Sequence, residues 1–184
     1  VLRALIVAAL ATTSALATAG CAVTTPAVDA AGPDAARCDG ELELGRCLRV
    51  DGTECIGLIG EPAVFTPVAD GGPIPIVVGH QGAHMLALAA RGRGFSGGDP
   101  SEPPASRGNP QVELFIEDEA GEIVAVFRSR LPFAPDPADP ALLVQPGVFV
   151  VVDDVPDAPL RARASLRDAA GVTRCGTLSF VPTR

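Results

Sequence analysis

At 184 residues and a formal charge of −8, the chain has the length of one domain with its own core. It is also too acidic overall to grip a phosphate backbone, which needs clustered lysines and arginines. No nucleic-acid partner is therefore expected, and the absence of Tyr and Trp removes the commonest aromatic anchors of carbohydrate and protein interfaces.

Residues 1–20, VLRALIVAALATTSALATAG, have the layout of an export signal. Arg3 supplies the positive start, residues 4–11 a short apolar core, and residues 14–20 a small-residue cleavage region. The core is too short to cross roughly 30 Å of hydrocarbon as a helix. The tetrapeptide Thr18-Ala19-Gly20-Cys21 resembles the lipobox of bacterial lipoproteins, with Thr18 where that family usually carries Leu. The resemblance implies that Cys21 is diacylated, becomes the mature N-terminus and holds the protein to a membrane of the cell envelope, outer membrane or surface. The alternative is cleavage after Ala17 or Ala19 and a secreted protein.

The chain carries five cysteines: Cys21, Cys38, Cys47, Cys55 and Cys175. An odd number in an exported protein leaves one over. With Cys21 acylated, the other four form two disulfides in an oxidising compartment. Cys38–Cys47, closing a local loop, and Cys55–Cys175, joining the first and last strands, are the expected pairs.

Residues 21–37 are small, polar and broken by Pro and Gly, and read as a flexible tether. The folded domain is expected over residues 38–184. There the dominant period is two. Leu160, Ala162, Ala164 and Leu166 alternate with Arg161, Arg163, Ser165 and Arg167, as Val112, Leu114 and Ile116 alternate with Gln111, Glu113, Phe115 and Glu117. This is the pattern of strands buried on one face. In chain order, strands are expected at ECIGLIG, AVFTPV, PIPIVVG, HMLALAARG, QVELFIED, IVAVFRSRL, GVFVVVDDV, LRARASLRD and CGTLSFV. EDEAGEIV and RDAAGVTR read as hairpin turns. GFSGGDPSEPPASRGNP and PFAPDPADPA are too rich in Pro and Gly for regular structure. The fold class is all-β, an antiparallel sandwich of about seven to nine strands. Gly79, Gln81, Gly82 and His84, together with this strand rhythm, resemble the immunoglobulin-like sandwiches of uncharacterised bacterial surface lipoproteins. That resemblance implies fold and envelope location, and no activity.

Three places invite a chemical reading. His80 and His84, the chain's two histidines, nearly match the His-Glu-x-x-His zinc motif, but Gln81 stands where the general base belongs. On a strand, residues four apart lie about 13 Å from each other, too far to share one ion. Residues 94–98, GFSGG, fit Gly-x-Ser-x-Gly around Ser96, but a nucleophile elbow needs a helix next, and the prolines that follow forbid one. Asp153, Asp154 and Asp157, with Asp136 and Asp139 in another loop, form the acidic candidate. Calcium sites use such loop carboxylates; turn formation and solubility use them equally. The expectation is an exported, lipid-anchored, non-catalytic envelope or surface module without a cofactor. Its rivals are a calcium-dependent adhesion or ligand-binding domain and a metal-dependent or serine hydrolase.

Overall fold

Ten strands account for the regular structure in the computed structural model, which describes residues 41–55, 63–79, 81–152 and 157–184. In chain order they are β1 (Leu42–Arg49), β2 (Ala63–Pro67), β3 (Gly72–Val78), β4 (His84–Gly92), β5 (Gln111–Glu117), β6 (Ile123–Arg130), β7 (Ala134–Pro135), β8 (Leu143–Val151), β9 (Leu160–Arg167) and β10 (Thr173–Thr183). No helix occurs among the described residues. The fold is all-β and, apart from a parallel pairing of β3 with β10, antiparallel.

Two layers enclose one core. The first runs β10-β9-β5-β6; the second has β4 at its centre, β8 on one side and β1 and β3 in succession along the other. Leu42, Leu44, Leu86, Leu88, Val148 and Val150 from the second layer meet Val112, Leu114, Ile116, Leu160, Leu166, Leu178 and Phe180 from the first in a single apolar cluster. The predicted alternation in β5 and β9 is the inward half of this core. Strand β3 ties the layers along one side: residues 72–75 pair with β10 and residues 76–78 with β4. Pro73 and Pro75 lie in the half bonded to β10 alone, where a missing N–H breaks no second ladder. Strand β1 makes the same passage, from a bridge between Glu41 and Cys175 to pairing with β4. Gly176 permits it, because the Leu42 carbonyl stands where a Cβ would be.

Strand β1 departs from the sequence expectation, which placed no strand there. Gly45 and the charges of LELGRCLR dilute the apolar period, yet Leu42 and Leu44 reach the core. Gly45 lets the Phe65 ring and the β2 backbone lie against β1. Of the strand expected at ECIGLIG, Glu54 forms a bridge with Leu48, and residues 56–62 lie outside the described residues. Strand β8 starts earlier than expected and passes through Pro146 and Gly147. The register slips there, from Leu88 opposite Val148 to Ala90 opposite Gln145, so the proline occupies a bulge. In the PFAPDPADPA loop, Ala134 and Pro135 form the short β7 against β8.

The disulfide pairing is a correction. Cys47 bonds to Cys55, with Cα atoms 5.6 Å apart, in place of the expected Cys38–Cys47 and Cys55–Cys175. The cause is a turn after β1, in which the Arg49 N–H donates to Thr53 O at 2.7 Å and Gly52 N–H to Arg49 O at 2.9 Å. The turn brings the two cysteines opposite each other. They pack with Val77 and Ala87 in a second small cluster on the outer side of β4. Cys175 is also disulfide-bonded.

Candidate functional site

The Gly-x-Gln-Gly-x-His stretch lies between β3 and β4, and its backbone repeats elsewhere in the molecule. Gly79 N–H donates to Ala83 O, and Gly82 N–H to Gly79 O. The same two bonds link Arg49, Gly52 and Thr53, then Asp118, Gly121 and Glu122, then Asp168, Gly171 and Val172. In each case the glycine has φ between 79° and 86°. RVDGT, GHQGA, DEAGE and DAAGV are four copies of one three-residue hairpin loop that needs a left-handed glycine. His84 opens β4 with an exposed side chain, and its carbonyl accepts the Val152 N–H at 3.0 Å. His80 lies outside the described residues. Among the described residues no group of three or more His, Cys, Asp or Glu side chains could hold a metal.

The GFSGG stretch is a structural junction. Phe95 stacks edge-on against Phe133, with ring centroids 5.3 Å apart, and the Phe133 N–H donates to Gly97 O at 2.8 Å. Two of the connections that cross between layers, β4 to β5 and β6 to β7, therefore close one end of the sandwich together. Ser96 is exposed, and its backbone N–H donates to Asp168 Oδ2 at 2.8 Å. Buried Asp168 also accepts the Val172 N–H at 2.8 Å. Burial pushes its carboxyl up, but the N–H groups of Ser96, Val172, Ala170 and Gly171 outweigh that and hold it below its ordinary value. Asn109, fully buried, orders the rest of the loop. Its Oδ1 accepts the Asp99 N–H, and its Nδ2 donates to the carbonyls of Pro103 and Pro104. A strand–Ser–helix elbow is not formed.

The acidic candidates also separate. Asp136 is buried, 3.6 Å from Arg91, and accepts the Ala138 N–H. Arg91 is held by Glu43 at 2.7 Å and lies 4.3 Å over the Phe65 ring. Asp139 accepts the Ala141 N–H inside its own turn. Asp157 is almost fully exposed, 3.8 Å from Arg184. Asp153 and Asp154 lie outside the described residues. Asp136 and Asp139 are thus committed to an ion pair and a turn.

What the fold does assemble is the outer face of the β10-β9-β5-β6 layer. The register lays side chains in rows: Thr173, Arg167, Gln111 and Arg130; then Cys175, Ser165, Glu113 and Arg128; then Thr177, Arg163, Phe115 and Val126; then Ser179, Arg161 and Glu117. Phe115 sits at the centre, 4% exposed. The guanidinium carbons of Arg163 and Arg128 stand 5.3 and 5.5 Å from its ring centre. Arg163 donates to Glu117 at 2.7 Å, and Arg128 lies 3.6 Å from Glu113. Arg130 reaches the carbonyls of Arg107 and Asn109. Arg161 and Arg167 project into solvent at the two ends of β9. The rows contain five arginines and two glutamates, a basic surface on an acidic chain.

The arginines of β9 are legible in the sequence through their spacing. Their alignment with Glu113, Phe115 and Arg128 is not, because it depends on the register between strands distant in sequence. No protein-family model matches the chain, and comparison with curated proteins finds no match.

Proposed function

We propose that this protein is an exported, lipid-anchored, non-catalytic module of the cell envelope that binds an acidic partner through the outer face of β10, β9, β5 and β6. The observation that carries the binding role is the concentration of Arg128, Arg130, Arg161, Arg163 and Arg167 on one four-stranded surface. Arg161 and Arg167 supply charge without an internal partner among the described residues, while at the centre Arg163 and Arg128 stand over the Phe115 ring and pair with Glu117 and Glu113. Such a surface draws an acidic ligand by its field and orients it by fixed guanidinium groups. The lipobox residues Ala19, Gly20 and Cys21 support the anchor.

Two features support an immunoglobulin-like arrangement: β4 pairs with β8 in one layer, and β10-β9-β5-β6 form the other, with crossings between β4 and β5 and between β8 and β9. The non-catalytic reading is supported by where the polar groups are spent. Asp168 holds Ser96 and Val172, Asp136 holds Arg91, and Asn109 holds its loop. An enzyme needs its base and nucleophile directed at each other.

The test is titration of the isotopically labelled chain with oligoglutamate, followed by NMR. Backbone shifts are expected to cluster on β5, β6 and β9 and to shrink with added salt. The double variant Arg161→Gln, Arg167→Gln should weaken binding severalfold with no change in fold. Shifts scattered over the surface, or a variant that binds as well as the parent, would remove the proposal.

A further inference from the structure

Strand β6 lies at an edge. Its one strand partner among the described residues is β5. Native edges of this kind are usually blunted by proline, lysine, an inward charge or a covering segment. β6 runs IVAVFRSR, with no proline or lysine and no charge in its first five residues. Ile123, Val124 and Val126 are 45%, 39% and 47% exposed, three of the seven large hydrophobic side chains exposed on the described surface.

The two ends of this strand carry opposite charge. Glu119 and Glu122 stand exposed in the turn before it, and Arg128 and Arg130 lie at its far end. Asp118 in the same turn is already committed, accepting the N–H groups of Ala120 and Glu122. A strand acidic at one end and basic at the other complements a copy of itself running backwards. Run in parallel, it would set like charges together.

We propose that β6 pairs antiparallel with β6 of a second copy of this chain, about a two-fold axis at Ala125. Side-chain chemistry selects this register. It sets Val124 opposite the partner's Val126, and the reciprocal pair forms by symmetry, so four exposed valines cover one another. Glu122 then meets the partner's Arg128 on each side. An axis at Val126 would instead set Val124 against a guanidinium. Arg128 is available, being 53% exposed with its Glu113 contact at 3.6 Å. The pairing is isologous and closes at two copies. It joins two four-stranded layers into one continuous sheet. It shares Arg128 and Val126 with the margin of the basic face, whereas the binding test above reads Arg161 and Arg167 of β9, so the two proposals can fail separately.

Sedimentation equilibrium tests it on the full chain carrying Cys21→Ser, which removes acyl chains as a source of association. The mass is expected to rise with concentration to twice that of the chain. Val126→Lys should leave a monomer with unchanged circular dichroism. Glu122→Arg should weaken the dimer by about tenfold, since two attractive contacts become repulsive, and adding Arg128→Glu to it should restore the dimer. If Val126→Lys does not fold, the charge pair decides. A chain that stays monomeric at its highest soluble concentration overturns the proposal. So does a dimer indifferent both to Val126→Lys and to the charge exchange, since it must use another surface.

Discussion

Asp168 shows how much of the far end of the sandwich rests on one side chain. Its carboxylate accepts backbone N–H groups from its own hairpin turn and from Ser96 in the connection between β4 and β5. An amide at this position would point one N–H₂ group at a donor. Asp168→Asn is therefore expected to lower stability by about 1–3 kcal/mol at neutral pH, the cost of leaving buried hydrogen-bonding groups unpaired. The pH dependence has a defined sign. The folded carboxyl lies below its reference of 3.8, so the stabilisation is complete above that pH and disappears as pH falls through the folded value. Denaturant melts of parent and variant should differ at pH 7 and converge in strong acid. A gap that stays constant down to pH 2 would show that the carboxylate charge is not what holds the loop.

At the scale of the element, the hairpin loop that occurs four times separates residues that shape structure from residues that merely occupy it. Gly82 has φ +79° with open space around it, so a side chain there meets no neighbour and is penalised by backbone conformation alone. Gly82→Ala is expected to cost about 1–2 kcal/mol. His84→Ala, two residues on at an exposed strand start, should change stability by less than about 0.5 kcal/mol. Thermal unfolding of the two variants checks the pair. A larger loss for His84 would give the imidazole a role that its exposure does not suggest. β4 makes a related point: HMLALAAR is rich in helix formers, yet it forms the central strand because Ala87 and Ala89 are buried on one face and Leu86 and Leu88 on the other. Three strand partners override local propensity.

For the molecule as a whole, the cysteines make a single accounting problem. Cys47 and Cys55 are paired. Cys175 is bonded and stands in register with Glu41, three residues past Cys38. Mapping of non-reduced digests is expected to return Cys47–Cys55 and Cys38–Cys175. Cys21 is then left for acylation, and labelled fatty acid should enter the parent and not Cys21→Ser. Recovery of a Cys21–Cys175 crosslink would contradict both expectations at once. Cys38–Cys175 would tie the start of the domain to its last strand, closing a long loop; removing such a bond costs typically 2–5 kcal/mol.

The strands β5, β6 and β9, the turn glycines Gly82, Gly121 and Gly171 and the Pro-rich connection between β4 and β5 were readable from the chain alone, because each is set by local rules: period two, a left-handed turn, a missing N–H. Strand β1, the Cys47–Cys55 bond, the bulge at Pro146 and the alignment of Phe115 with Arg128 and Arg163 were decided by tertiary structure. Each depends on which segments become neighbours, and spacing along the chain carries no information about that. The cysteines show the difference most directly. Cys38–Cys47 and Cys47–Cys55 would close loops of nearly equal length, so loop entropy could not choose between them. The turn after β1 places Cys55 beside Cys47, and that contact made the choice.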